Sequence, residues 1–186
     1  TTGQVAGLSS TVLRALTTDS VAALTNDQVQ ALTTTSVSVM TTGQVKALES
    51  GDIAVLSSAQ VGALTTTQVG VLTSNQVKSL STGALAGLAT GTVQTLSSAQ
   101  LSALPAGSVT ALTTTQVAAL TTTQVSTMTA ALVAALTTSQ VGGMTTSQVA
   151  ALTTASVVAL TATQVGSMTT SQVAALTTSQ VKALET

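Results

Sequence analysis

Residues 136–184 read LTTSQVGGMTTSQVAALTTASVVALTATQVGSMTTSQVAALTTSQVKAL, near-copies of one eight-residue unit. With Thr137 as position 1 and Met144 as position 8, the same frame runs back to Thr1 without an insertion or deletion. Position 8 is Leu or Met at every multiple of eight from Leu8 to Leu184, with Met at Met40, Met128, Met144 and Met168. Position 5 is Val, Leu or Ile throughout, from Val5 through Leu13, Ile53, Leu85 and Leu101 to Val181. A fixed short period marks a repeat array, so residues 1–186 are read as a single continuous octapeptide array rather than as domains joined by linkers.

Both aliphatic positions must reach one buried face, and this requirement selects the backbone. In a strand, positions 5 and 8 point to opposite sides, and neither parity class of the octad is consistently apolar. In an unbroken α-helix each octad advances by about 800°, so the apolar stripe would swing by about 80° per repeat and no single seam could bury it. A short helix restarted in every octad avoids both failures. Position 1 is nearly always Ser or Thr and position 4 is most often Gln, as in Thr113 to Gln116, Thr121 to Gln124, Thr145 to Gln148 and Thr177 to Gln180. This is the spacing of a capping box, in which the hydroxyl accepts from the N–H three residues on and the Gln side chain reaches back to the cap N–H. The position 8 residue then precedes the cap of the next helix and staples onto its position 5, pairing Leu112 with Val117 and Leu176 with Val181. The expected fold is all-α: a solenoid or superhelix of very short capped helices, one per octad, with a β-solenoid as the alternative. Its core is expected to be aliphatic and its surface to consist of Thr, Ser and Gln.

The exceptions fit this frame. Pro105 occupies position 1, where the chain is already non-helical. All thirteen glycines fall at positions 3, 6 or 7. Position 7 is almost always small, which implies a close approach between neighbouring turns. The four basic residues, Arg14, Lys46, Lys78 and Lys182, all stand at position 6, the expected solvent face. Irregularity is expected where the copies degenerate, from Leu80 to Pro105. Two aliphatic side chains release less free energy than ordering eight residues costs, so each octad must be stabilised by its neighbours.

Composition narrows the chemistry. The chain contains no Cys, His, Phe, Tyr or Trp, and its four basic and five acidic residues give a net charge of -1. Without Cys or His the usual zinc, haem and iron–sulfur sites lack ligands, and disulfides cannot form. Without aromatics and with four scattered cations, nucleic acid is not an expected partner. The longest apolar run, residues 130–136, falls far short of the roughly 20 residues of a bilayer span. The chain starts with Thr1 at position 1, and Gln180 to Thr186 nearly repeats Gln44 to Ser50, so it is expected to be a piece of a longer array.

Few residues are candidates for chemistry, and no catalytic, cofactor-binding or metal-binding residue is assigned. A serine nucleophile needs a positioned base and there is no His. A Ser–Lys arrangement using Lys46 or Lys182 is the remaining formal option. The carboxylates are Asp19, Asp27, Glu49, Asp52 and Glu185. Glu49 and Asp52 have the capping-box spacing, which favours a helix cap over a weak cation site formed with Gly51, since calcium usually takes about six to eight oxygens. The four Met residues read as core fillers. No enzymatic activity and no cofactor are expected.

The recurrent string LTTxQVAALTTxQVAAL resembles the Thr-rich octapeptide arrays of very large secreted bacterial surface proteins, some of which also carry calcium-binding RTX repeats. The resemblance covers the whole chain and implies an extracellular or cell-surface, extended, non-enzymatic segment. The Gly-Gly-x-Gly-x-Asp nonapeptide of RTX repeats is absent, so calcium-dependent folding does not carry over. The leading expectation is a structural protein that forms an extracellular fibre, or a fibrous segment of one, with other copies of itself as partners. The alternative is an adhesin stalk or a solenoid surface that binds a glycan or a protein.

Overall fold

A computed structural model describes residues 1–184. Glu185 lies outside the described residues. Among the described residues there are 22 α-helices and one 3₁₀ helix, and no strand. One helix forms per octad, so the all-α expectation holds and the β-alternative falls. Most helices span five or six residues, as in Thr66–Gly70 and Thr146–Ala151.

Most helices begin where the sequence places a cap. Thr113 has extended backbone angles, φ -68° and ψ 156°. Its hydroxyl accepts the Gln116 N–H at 3.1 Å, and Gln116 Oε1 accepts the Thr113 N–H at 2.7 Å. The box thus satisfies two of the backbone donors that a helix start leaves without intrahelical partners. Many helices end as the position 8 residue takes extended angles, as Leu112 does at φ -64° and ψ 136°. Its N–H then bonds the carbonyl of position 5, closing the last turn as a tighter i to i+3 contact.

The expected irregularity is also present. Ala89 caps the four-residue helix Thr90–Val93 without a side-chain bond. Pro105 opens the 3₁₀ helix Ala106–Ala111 in place of an α-helix. Proline has no N–H and no side-chain acceptor, so neither half of the capping box can form there.

The chain divides into two compact units, residues 1–96 and 97–186, each wound in the same way. In the first unit Thr2–Ala6 packs against Asn26–Gln30, Thr18–Ala22 against Thr42–Ala47, and Ser58–Gly62 against Thr82–Gly87. In the second, Thr122–Thr127 packs against Thr146–Ala151 and Thr154–Val158 against Thr178–Leu184. In every case a helix meets the third helix after it.

Positions 5 and 8 form the core, from Leu13, Val45, Ile53 and Leu56 in the first unit to Val125, Met128 and Val149 in the second. The small residue at position 7 sits where turns approach most closely. A Cβ on Gly87 would collide with the Ser58 carbonyl oxygen, 29 residues earlier in sequence, and one on Gly143 would meet Thr114 Cγ2. Backbone cannot yield as a methyl group can, so Gly87→Ala is expected to lower stability by about 2 kcal/mol. At Gly70 and Gly166 an added Cβ meets nothing within 4 Å. There the Ala variants are expected to raise stability by about 0.5 kcal/mol, the helix preference for Ala over Gly. Denaturant midpoints of the three variants check both signs.

Candidate functional site

The feature with the most chemistry in this chain is a row of buried glutamines. The expectation of a Gln surface is wrong: at position 4, Gln44, Gln68, Gln148 and Gln172 are only 1–2% exposed. Their Oε1 atoms make the capping bonds described above. Their amide nitrogens point the other way, into an earlier turn. Gln148 Nε2 donates to the carbonyls of Val117 at 2.9 Å, Ala118 at 3.2 Å and Leu120 at 2.6 Å. Gln68 repeats this in the first unit, donating to Val37, Ser38 and Met40, and Gln172 donates to Val141, Gly142 and Met144.

The acceptors lie 28, 30 and 31 residues before the donor, at the C-terminal end of a helix four octads back. The carbonyls of positions 6 and 8 are ones that a helix end leaves unpaired, while that of position 5 also accepts the position 8 N–H, as Val117 does from Leu120. One side chain therefore caps the start of its own helix and the end of another. Helices also contact the third helix on, so each octad rests between the third and fourth octads before it. One turn of the winding in each unit thus takes between three and four octads.

A capping box is served equally well by Glu, and a carboxylate suits a helix start better than an amide does. Yet position 4 is never Glu. That choice was the available sequence signal for the clamp, because only the amide carries donors.

Where Gln is absent the clamp changes. Ser156 retains one long contact to the Met128 carbonyl at 3.5 Å. Leu132 and Ala84 fill the buried space without polar atoms. Asp52 is the odd case, a carboxylate only 3% exposed at a clamp position. Its Oδ2 accepts the Glu49 N–H at 2.9 Å, so the capping reading of this pair holds. Burial pushes the Asp52 carboxyl above its usual range; the Glu49 N–H bond pulls it down and the Glu49 charge raises it. An acid whose folded pKa is raised gives full stability below its unfolded value, near 3.9, and loses it as pH rises toward the folded value. Asp52→Gln removes this titration and places an amide 28 and 31 residues after Leu24 and Val21. It is expected to raise stability at pH 7 by about 1–2 kcal/mol and to flatten the pH dependence above about pH 4, as read from urea unfolding at several pH values.

The other candidates are dispersed. Arg14, Lys46, Lys78 and Lys182 are exposed, as position 6 was expected to be. That position is nevertheless a rim rather than a free face: Ser102 Oγ donates to the Thr127 carbonyl at 3.2 Å, and a Cβ on Gly62 would come within 2.8 Å of the Gly87 carbonyl oxygen. Among the described residues no hydrogen bond joins Lys46 or Lys182 to a serine, no three carboxylates gather into a metal site, and no pocket is present. Among them, too, no helix is long and apolar enough to cross a membrane.

The family described as the ALTTAQ repeat matches residues 1–34, 45–82 and 154–186, more than half of the chain. No curated protein matches the chain.

Proposed function

We infer, for a chain that belongs to the ALTTAQ repeat family and clamps its turns to earlier ones, a structural role: an extracellular fibre, or a fibrous segment of one, built by stacking and self-association. The observation that carries this reading is the glutamine clamp. It joins turn to turn by the same bonds, so a winding of any length is held together without a terminal core. Surface charge supports association, since no charged residue occurs between Lys78 and Lys182 and little repulsion opposes contact between copies. The position 1 hydroxyls serve as helix caps, as Thr113 does for the Gln116 N–H and Thr145 for the Gln148 N–H, in keeping with a structural role. Sedimentation velocity and electron microscopy of the purified chain over a wide concentration range test the proposal. Fibrous assemblies that grow with concentration are expected; a chain that stays monomeric at the highest concentration would refute self-association.

A further inference from the structure

From Thr25 onward only one pair of neighbouring octads lacks a glutamine at position 4, and it lies inside the first unit. The residues there are Ala84 and Thr92, both buried. At the 28-residue offset that joins Gln148 to Leu120, they stand over the carbonyls of Leu56 and Leu64. Ala84 carries no donor. Thr92 ends at its hydroxyl, well short of where a glutamine amide reaches, and Ser156, equally short, makes one contact at 3.5 Å. The helix starts are weak as well: Ser81 accepts the Ala84 N–H at 3.2 Å, but Ala89 offers no side-chain cap. Elsewhere a single loss has a clamped neighbour. Beside Leu132, Gln140 still donates to Val109 at 2.8 Å and to Leu112 at 2.6 Å.

What closes this seam is backbone set against backbone. Thr82–Gly87 packs on Ser58–Gly62, and Thr90–Val93 on Thr66–Gly70. A Cβ on Gly62 would lie 2.8 Å from the Gly87 carbonyl oxygen, and one on Gly87 would collide with the Ser58 carbonyl oxygen. Dispersion and Cα–H···O contacts of this kind weaken sharply when the surfaces part by about 1 Å, whereas an amide held by three carbonyls resists that displacement. The earlier side is anchored: Gln60 donates to Val29 and Leu32, and Gln68 to Val37 and Met40. We propose that the seam between residues 56–64 and 84–92 is a built-in opening point, where the winding parts first and reversibly while the clamped turns before it stay closed. A stretched chain then lengthens at a set place instead of unravelling at random. The inference needs the folded chain alone and does not depend on association between copies.

The chain has no cysteine, so one introduced thiol reports local uncovering. Leu64→Cys places it at the seam, and Leu48→Cys places it beside Gln76, which donates to the Leu48 carbonyl at 2.8 Å. Both leucines are 5% exposed, so the two sites differ in the clamp and not in burial. In dilute protein under native conditions, a soluble thiol reagent is expected to label Leu64→Cys at least tenfold faster than Leu48→Cys. Adding Ala84→Gln and Thr92→Gln supplies the missing amides and is expected to bring the two rates within threefold. A smaller difference between the single variants overturns the opening point, and so does a folded glutamine pair that leaves the labelling of Leu64→Cys unchanged. If circular dichroism shows that the glutamine pair does not fold, the comparison of the two single variants decides alone.

Discussion

Gln148→Glu is expected to destabilise the second unit by about 4 kcal/mol at pH 7, although it exchanges one amide for a carboxyl of nearly the same shape. The Oε1 side of the group is indifferent to the change, because a carboxylate oxygen still accepts the Thr145 N–H. The Nε2 side reverses its chemistry. A donor bonded to the Val117, Ala118 and Leu120 carbonyls becomes an anion facing the same oxygens, at a position 1% exposed. Removing the partner of a buried charged or polar group costs about 3–5 kcal/mol when charge is left uncompensated. The pH dependence identifies the cause. The folded-state pKa of the introduced carboxyl would be raised above the unfolded value of about 4.3, so stability is recovered below that value and lost as pH rises. Chemical unfolding at pH 4 and pH 7 should show a near-wild-type chain in the first case and a strongly weakened one in the second. Equal destabilisation at both would mean that packing, and not the lost donor, is responsible.

Ile53→Ala is the second change of this size. Ile53 is a large position 5 residue with no exposure, and it lies in Ser50–Val55, a helix packed against both Asn26–Gln30 and Ser74–Ser79. Truncation opens a cavity between turns that the capped, hydrogen-bonded backbone on either side cannot collapse, for a loss of about 3–4 kcal/mol. Val173→Ala in the last turn removes a side chain already 48% exposed, and is expected to cost less than about 1 kcal/mol. The two urea midpoints together distinguish a core built by stacking from one built within each octad. If the octads were self-sufficient, the two truncations would differ little.

The local structure was legible in the sequence because it is set by residues three apart. Thr113 and Gln116 announce the start of a helix, Leu112 its entry, and the degenerate copies from Leu80 to Pro105 the irregular starts. The parity of positions 5 and 8 excludes a strand without reference to anything distant. The contact between turns was not legible. Positions Gln148 and Leu120 are 28 residues apart, and nothing in an octad encodes how many octads make a turn, so the periods of Met, Gly and Lys gave no answer. The same gap led to the mistaken Gln surface: a polar side chain already serving a cap has no evident reason to be buried until its second partner is known. The close approach at position 7 stood between these cases. Small residues implied it, but only the meeting of Gly87 with Ser58 identifies the partner.

Asp52 shows that the repeat tolerates a costly departure at a clamp position when the cap itself is kept. The octads at Ala84 and Leu132 show the opposite solution, an apolar filler that abandons both halves of the glutamine's work. Between these extremes the array retains its winding, which is consistent with a stability summed over many neighbour contacts instead of residing in any single one.

Glutamine amides tie turns to earlier ones, and the exchange of those side-chain amide protons measures this directly. In dilute, monomeric protein, NMR exchange should find the Nε2 protons of Gln68, Gln148 and Gln172 strongly protected, with those of the exposed Gln30 exchanging at the rate of a free amide. Fast exchange at all four would contradict the clamp.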